Sequence, residues 1–261
     1  MKKWGLALGA GGSRGVAHVG FIKALEEEGL KPDFITGSSM GSVVGACYAA
    51  GMKPDRMHEE VKKLKLGQIV QLNIAPLTGD ALFKNGKMLR TIKKYVGEKK
   101  IKDLEIPFGC VATDLITGNT VFFCDGEDPV AECVTASSTM PSIFSPLKMR
   151  GMLLIDGGVK CRVPILQARE MGAEVVVAVD VLGQKMKGER KFNTISVLLR
   201  SIDIVDAELT KLKRREDNAD LFIEPDMGAM SQYKLQDTER AYKAGYKSGK
   251  ECVKKIKELI K

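Results

Sequence analysis

The chain has 261 residues, of which 44% are apolar and 28% charged, and its formal net charge is +8. This length and apolar content suffice for one large α/β domain, and no shift in composition marks a domain boundary. Six cysteines are scattered without a CxxC pair, which argues against a zinc site and favours reduced thiols in a cytoplasmic protein. No stretch is long enough to cross a bilayer, and the apolar run at residues 4–8 is too short for a signal peptide.

The excess of basic residues has two interpretations. The lysines and arginines are spread along the chain, which favours solvated faces of helices. Peripheral contact with an anionic membrane surface, at the inner face of the membrane, is the alternative. The basic stretches contain few aromatic residues and match no nucleic-acid-binding motif, so we do not expect nucleic acid as a partner.

Apolar periodicity and turn residues predict alternating strands and helices in chain order. The predicted strands are 4–8, 33–36, 107–112, 120–123, 152–155, 174–179 and 219–224. The predicted helices are 16–28, 42–50, 54–66, 87–96, 129–138, 163–171, 195–217 and 235–260, the last with candidate breaks at Gly245 and Gly249. This order predicts a single α/β domain over 1–261, with a mostly parallel central sheet and helices on both faces. Residues 67–83 are loosely apolar without a clear period, and either line an acyl groove, touch a membrane or pack in the core.

A serine lies on a predicted sharp turn between a strand and a small-residue helix. The segment is Gly37-Ser38-Ser39-Met40-Gly41. A nucleophile on such a turn has an exposed hydroxyl, and the flanking Gly37 and Gly41 avoid clashes within the turn. The start of the following helix favours developing negative charge. The pattern therefore predicts Ser39 as a nucleophile, although a glycine-flanked serine can also simply cap a helix.

The histidine count restricts the base that could activate this serine. His18 and His58 are the two histidines of the chain, so no histidine follows the candidate acid Asp156. His58 lies in a charged helix and is expected to be solvated. His18 could approach the glycine-rich loop, but a packed histidine is the favoured interpretation. Asp156 follows a strand, and the carboxyl ends of parallel strands converge, so we predict a pair of Ser39 and Asp156 in which burial raises the basicity of the carboxylate.

A glycine-rich loop joins the first strand to the first helix. Its residues Gly11, Gly12, Ser13 and Arg14 are predicted to surround an oxyanion with backbone N–H groups, and Gly15 completes the glycine motif. Arg14 could add positive charge for the oxyanion or for a phosphate headgroup, or could hold the loop by a salt bridge. A dinucleotide site is disfavoured, because the G-x-G-x-x-G spacing fails at Arg14 and no acidic residue ends the second strand.

Together these motifs resemble those of the patatin-like phospholipase family, in its smaller bacterial members. The resemblance rests on Ala10–Gly15, on Gly37–Gly41 and on Asp156-Gly157-Gly158, with the segment 136–146 as further support. It covers about residues 4–180 and leaves a less distinctive, helical C-terminal part at about 195–261. Two positions depart from the family pattern, namely Ala10 in place of glycine and Arg162 in place of asparagine.

The resemblance implies a three-layer α/β fold and a Ser-Asp dyad that works without histidine, metal or cofactor. It implies a serine esterase or lipid acyl hydrolase, of phospholipase A or lysophospholipase type, that forms an acyl-enzyme. A transacylase or thioesterase with the same dyad is an alternative, as is a non-catalytic regulatory protein that retains the fold. The sequence leaves the oligomeric state, the headgroup and the acyl chain open.

Overall fold

The computed structural model describes residues 1–63, 71–72, 83–141, 143–182, 194–216, 218–228, 230–232 and 237–261. The strands are β1 (Trp4–Leu8), β2 (Phe34–Ser38), β3 (Gln71–Leu72), β4 (Phe83–Lys84), β5 (Phe108–Asp114), β6 (Thr120–Phe123), β7 (Leu147–Met149), β8 (Met152–Asp156), β9 (Val175–Val179) and β10 (Leu221–Ile223). The helices are α1 (Val16–Glu27), α2 (Met40–Ala49), α3 (Pro54–Lys63), α4 (Gly86–Val96), α5 (Val130–Ser137), α6 (Ile165–Glu170), α7 (Thr194–Glu216) and α8 (Thr238–Leu259).

Eight strands form one sheet in the order β10-β9-β1-β2-β5-β8-β7, with β6 also paired to β5. The five strands from β10 to β5 are parallel to one another. The hairpin β7–β8 and the strand β6 continue the sheet in antiparallel orientation. The expectation of a mostly parallel α/β sheet is therefore confirmed. The pairing of β5 with β6 is the one expected around the turn Thr117-Gly118-Asn119, whereas the antiparallel hairpin β7–β8 was not predicted.

Alternating residues of the central strands fill two separate cores. On one face, Leu6 and Leu8 of β1 join a large cluster with Phe21 of α1 and Val134 of α5. On the opposite face, Ala7 packs in a smaller cluster, with Ala178 of β9 and the α6 residues Ile165 and Ala168. The period of two along each strand thus gives the predicted layers of helix, sheet and helix.

The C-terminal helix α8 is continuous, so the predicted breaks at Gly245 and Gly249 are wrong. Both glycines face α1 instead. A Cβ atom on Gly245 would collide with the backbone of Ala17, and one on Gly249 would lie 2.6 Å from the Cβ of Ala24. Gly20 of α1 has the same role toward Tyr242, so these glycines let the two helix backbones approach closely.

Within the apolar stretch 67–83, residues 71–72 and 83 belong to the short antiparallel pair β3–β4, and the rest of that prediction lies outside the described residues. The same holds for residues 64–66 of the third predicted helix. None of the helices in the described ranges combines the length and apolar character needed to cross a bilayer.

Candidate active site

Ser39 lies on a sharp turn between the end of β2 at Ser38 and the start of α2 at Met40. Its backbone angles are φ 51° and ψ −124°, which is a strained conformation for a residue with a side chain. Gly37 and Gly41 leave no room for a Cβ atom, because Gly37 abuts the backbone of Ser42 and Gly41 abuts the carbonyl of Leu8. The turn therefore has the geometry of a nucleophile elbow.

Asp156 reaches the serine by a route that differs from the predicted one. Its strand β8 is antiparallel to β5, with Asp156 opposite Ala112, whereas β2 is parallel to β5, with Ser38 opposite Val111. The strands β2 and β8 thus run in opposite directions, and their last residues lie opposite neighbouring residues of β5. The expectation that parallel carboxyl ends bring the pair together is wrong, although the pair itself is adjacent.

The hydroxyl of Ser39 donates a hydrogen bond to Oδ2 of Asp156 at 2.6 Å. The amide of Gly158 donates to the other carboxylate oxygen at 2.8 Å, because the chain turns immediately after Asp156. Burial of the carboxyl raises the pKa of Asp156 to about 6, against the two hydrogen bonds, which lower it. A carboxylate with this pKa is a better base than an exposed aspartate and is still ionised at neutral pH.

The last residue of α5 and the segment directly after it hold the backbone of both residues, which the sequence did not predict. The Ser137 hydroxyl accepts a hydrogen bond from the amide of Ser39 at 3.0 Å. The carbonyl of Thr139 accepts from the amide of Asp156 at 2.8 Å, and the hydroxyl of Thr113 donates to the carbonyl of Asp156 at 3.2 Å. The segment 136–146 had suggested the family, but nothing in its pattern indicated these contacts.

The glycine-rich loop folds as a short 3-10 turn beside the serine turn. Within the described part of the chain, the amides of Gly11 and Gly12 donate to no protein acceptor. The amide of Ser13 donates to the carbonyl of Gln232 at 2.9 Å, and that of Arg14 donates to Gly11 at 3.1 Å. Of the predicted oxyanion donors, residues 11–14, the amides of Ser13 and Arg14 thus have protein acceptors, and those of Gly11 and Gly12 are the candidates that remain.

Close packing explains the other glycines of the motifs. Gly12 has a φ of +53° and abuts the carbonyl of Gln232, so a side chain there would be strained and would clash. Gly15 and Gly157 are equally tight, against the side chain of Met40 and the carbonyl of Val111 respectively. A Cβ atom on Gly158 would lie 2.9 Å from the Cβ of Ala10, so the loop and the turn after Asp156 are in contact.

His18 is fully buried and bonds the root of the glycine-rich loop. A carbonyl can only accept, so Nε2 donates to the carbonyl of Gly9, at 2.8 Å. Burial lowers the pKa of His18 to about 4, which keeps the ring neutral. His18 is thus the packed histidine that the sequence favoured. The expectation of a solvated His58 is wrong, because its ring is half-buried, stacks on Tyr242 and bonds Glu239.

Arg162, which departs from the family pattern, lies in a buried ion-pair cluster. Its guanidinium binds both carboxylate oxygens of Asp180 at 2.7–2.8 Å and Asp206 of α7 at 2.9 Å. Its backbone carbonyl accepts from the amide of Ala10 at 2.9 Å. The arginine therefore orders the loop after Asp156 and fixes it to the glycine-rich loop. The Arg14 side chain is buried too, so it does not project from the surface.

A parallel sheet covered by helices, with a serine on a strained strand-to-helix elbow, is the architecture of α/β serine hydrolases. The profile of the Patatin-like phospholipase family matches residues 6–169. The chain belongs to the patatin-like phospholipase family.

Curated relatives support this assignment. An uncharacterized NTE family protein of Mycobacterium tuberculosis is 37% identical over 180 residues, which are 69% of this chain and 49% of that protein. Lysophospholipase NTE1 of Coccidioides immitis is 29% identical over 98% of this chain and 18% of its own length. Human patatin-like phospholipase domain-containing protein 6 is 36% identical over 69% of this chain and 13% of its own. The chain thus spans about half or less of these relatives.

Two solved structures share the fold. VipD from Legionella pneumophila aligns with 97% of this chain and 67% of its own, at a TM-score of 0.57 and 14% identity. ExoU of Pseudomonas aeruginosa, in complex with SpcU, aligns with 100% of this chain and 53% of its own, at a TM-score of 0.51 and 12% identity. At these identities the likeness concerns the fold alone.

Proposed function

We propose that this chain is a serine hydrolase that cleaves acyl esters of phospholipids or lysophospholipids through a Ser39–Asp156 dyad. The observation that carries the proposal is the 2.6 Å hydrogen bond from the Ser39 hydroxyl to a buried carboxylate, on a strained elbow. The strained turn aims the hydroxyl, and the raised pKa of Asp156 gives the carboxylate the basicity to accept its proton.

The reaction proceeds in two acyl transfers. Asp156 takes the proton of Ser39 as Oγ attacks the ester carbonyl, and then gives that proton to the departing alcohol. The acyl group stays on Ser39 as an ester. A water molecule next attacks this ester while Asp156 takes its proton. The fatty acid then leaves, and the proton returns to Oγ of Ser39.

Negative charge on the carbonyl oxygen is stabilised by backbone donors. The amides of Gly11 and Gly12 are directed to no acceptor in the described part of the chain, and the loop touches the turns of both dyad residues. The N-terminus of α2 adds the positive end of a helix dipole behind Ser39. Removal of one such donor typically costs about 10²–10³ in rate.

The substrate class follows from the family, of which a similar protein is named a lysophospholipase. We further propose that the chain acts in the cytoplasm at the inner face of a membrane. Six free cysteines, four of them buried, fit a reducing compartment, and the charge of +8 fits an anionic surface.

The test combines a covalent probe with hydrolysis of lysophosphatidylcholine. A fluorophosphonate should form an adduct on Ser39, located by mass spectrometry. Ser39→Ala should lose the adduct and the hydrolysis. Ser248→Ala, a half-buried serine of α8, serves as the matched control and should keep both. Folded wild-type protein without an adduct on Ser39 would overturn the proposal.

A further inference from the structure

Most of the exposed large apolar side chains lie on the turn that follows Asp156 and on two elements that contact this turn. Among the described residues, the large apolar side chains that are exposed number ten. Apart from Met1 and Leu166 they fall on three features, which are the β5–β6 hairpin tip, the turn 157–160 and helix α7. Isolated apolar residues are normal on a surface, whereas a group of them indicates an interaction site.

The hairpin tip presents Leu115 and Ile116, which are 48% and 76% exposed. The tip is held by its own hydrogen bonds, because the Asp114 carboxylate accepts from the Thr117 hydroxyl at 2.7 Å. Nζ of Lys160 donates to the carbonyl of Gly118 at 2.6 Å, which fixes the tip beside the turn 157–160. That turn carries Val159, which is exposed. The hairpin tip is thus adjacent to the turn that directly follows Asp156.

Helix α7 contacts the same turn and adds an apolar stripe. Its exposed apolar residues are Val197, Ile204, Val205, Leu209 and Leu212. At about 100° per residue these positions share one side of the helix. Asp206 falls on another side and binds Arg162 in the protein interior. Glu208 lies within the stripe but pairs with Lys211. The stripe therefore points away from the protein body.

We propose that Leu115, Ile116, Val159 and the stripe of α7, together called the apolar rim, form the surface that docks on a lipid bilayer. The inference rests on the proposed function, because an acyl chain must pass from the bilayer to Ser39 close to this turn. The charges agree with an anionic membrane. Lys160 lies within the rim, and residues 211–215 of α7 contribute four basic residues to a chain of net charge +8.

The rim is also connected to the dyad. Asp206 of α7 binds Arg162, and the carbonyl of Arg162 accepts from the amide of Ala10 in the glycine-rich loop. Binding of α7 to a membrane would thus bear on the loop that supplies the oxyanion donors.

The experiment measures binding of the full chain to vesicles of phosphatidylcholine with phosphatidylglycerol, and hydrolysis of a soluble p-nitrophenyl ester. The double variant Ile116→Ser/Leu212→Ser should weaken vesicle binding about tenfold, as expected for loss of two partly buried apolar contacts. Its kcat/KM on the soluble ester should stay within about twofold. Leu166→Ser removes an exposed leucine outside the rim and should change neither quantity.

Three results would overturn the proposal. They are unchanged vesicle binding in the double variant, an equal loss in Leu166→Ser, and wild-type protein that binds no vesicles. If gel filtration shows that the wild type is a dimer, that the double variant is a monomer and that the wild type binds no vesicles, the apolar rim is instead the contact with a second copy of the chain. Failure of the wild type to cleave the soluble ester would contradict the proposed function, whereas vesicle binding would still test the rim.

Discussion

Replacement of Asp156 by asparagine should remove activity and stabilise the folded protein at neutral pH. Burial raises the pKa of Asp156 from 3.8 to about 6. At about 1.4 kcal/mol per pKa unit, the ionised carboxylate costs the folded state about 3 kcal/mol at neutral pH. Asparagine has no charge, can accept from the Gly158 amide and can donate to the Ser39 hydroxyl. We expect a gain of about 1–3 kcal/mol in the free energy of unfolding and a loss of about 10²–10⁴ in kcat.

The sign of the pH dependence separates this explanation from a general packing effect. An acid with a raised pKa holds its proton more tightly in the folded state than in the unfolded state. The wild type therefore gains stability as the pH falls from about 6 toward the pKa of Asp156 in the unfolded state. The advantage of Asp156→Asn should therefore shrink by about 2 kcal/mol between about pH 7.5 and about pH 4.5. Urea denaturation at both values, with equal m-values, measures this difference.

Asp114→Asn is the control of opposite sign. Hydrogen bonds from Thr117 and from backbone amides lower the pKa of Asp114, so its ionised form stabilises the fold above the unfolded pKa. That substitution should destabilise the protein at neutral pH, and the loss should diminish on acidification. An Asp156→Asn protein no more stable than wild type at neutral pH, or an advantage independent of pH, would refute this effect of the buried charge.

Three further predictions concern the pH profile, His18 and the packing of α8. The kcat/KM for a soluble ester should rise with pH, with a midpoint at about pH 6. Asp206→Asn should lower that midpoint, because the charge of Asp206 raises the pKa of Asp156. An unmoved midpoint would exclude this coupling. His18→Ala should keep the wild-type pH midpoint and most of the activity. It should lose about 1–3 kcal/mol in the free energy of unfolding in urea, because the buried Gly9 carbonyl loses its donor. Loss of the pH midpoint in this variant would make His18 the base. Gly245→Val should lower the melting temperature through overpacking against Ala17, and an unchanged value would contradict the close contact.

The serine turn and the prediction of a carboxylate beside it were accessible from sequence, because they depend on which residue types are present and in what order. The glycines around Ser39 mark a tight strand-to-helix turn, and two early histidines leave no histidine after Asp156. The strand bounds followed from short apolar runs, and β1 and β6 occupy the predicted residues 4–8 and 120–123. These features require only the order of residue types along a few positions.

Strand direction and long-range contacts were not accessible in this way. Nothing within 152–156 states whether β8 runs with or against β5, since both orientations bury the same side chains. The contacts of Ser137 and Arg162 join residues far apart in the chain, and each has an ordinary local sequence. Gly245 and Gly249 could be interpreted as helix breaks because their partner, α1, is distant in sequence.

The hydrogen bonds around Asp156 would let the proposed Ser39–Asp156 dyad work without a third residue. In a Ser-His-Asp triad the acid orients the histidine that acts as base. In the proposed dyad Asp156 would itself be the base, and hydrogen bonds to and from the main chain orient it. The carbonyl of Thr139 and the hydroxyl of Thr113 fix the main chain of Asp156, while the amide of Gly158 fixes one carboxylate oxygen. The other oxygen is left for Ser39. Loss of the Thr113 hydroxyl should therefore lower kcat without moving the pH midpoint, because it loosens the position of the carboxylate and leaves its burial intact.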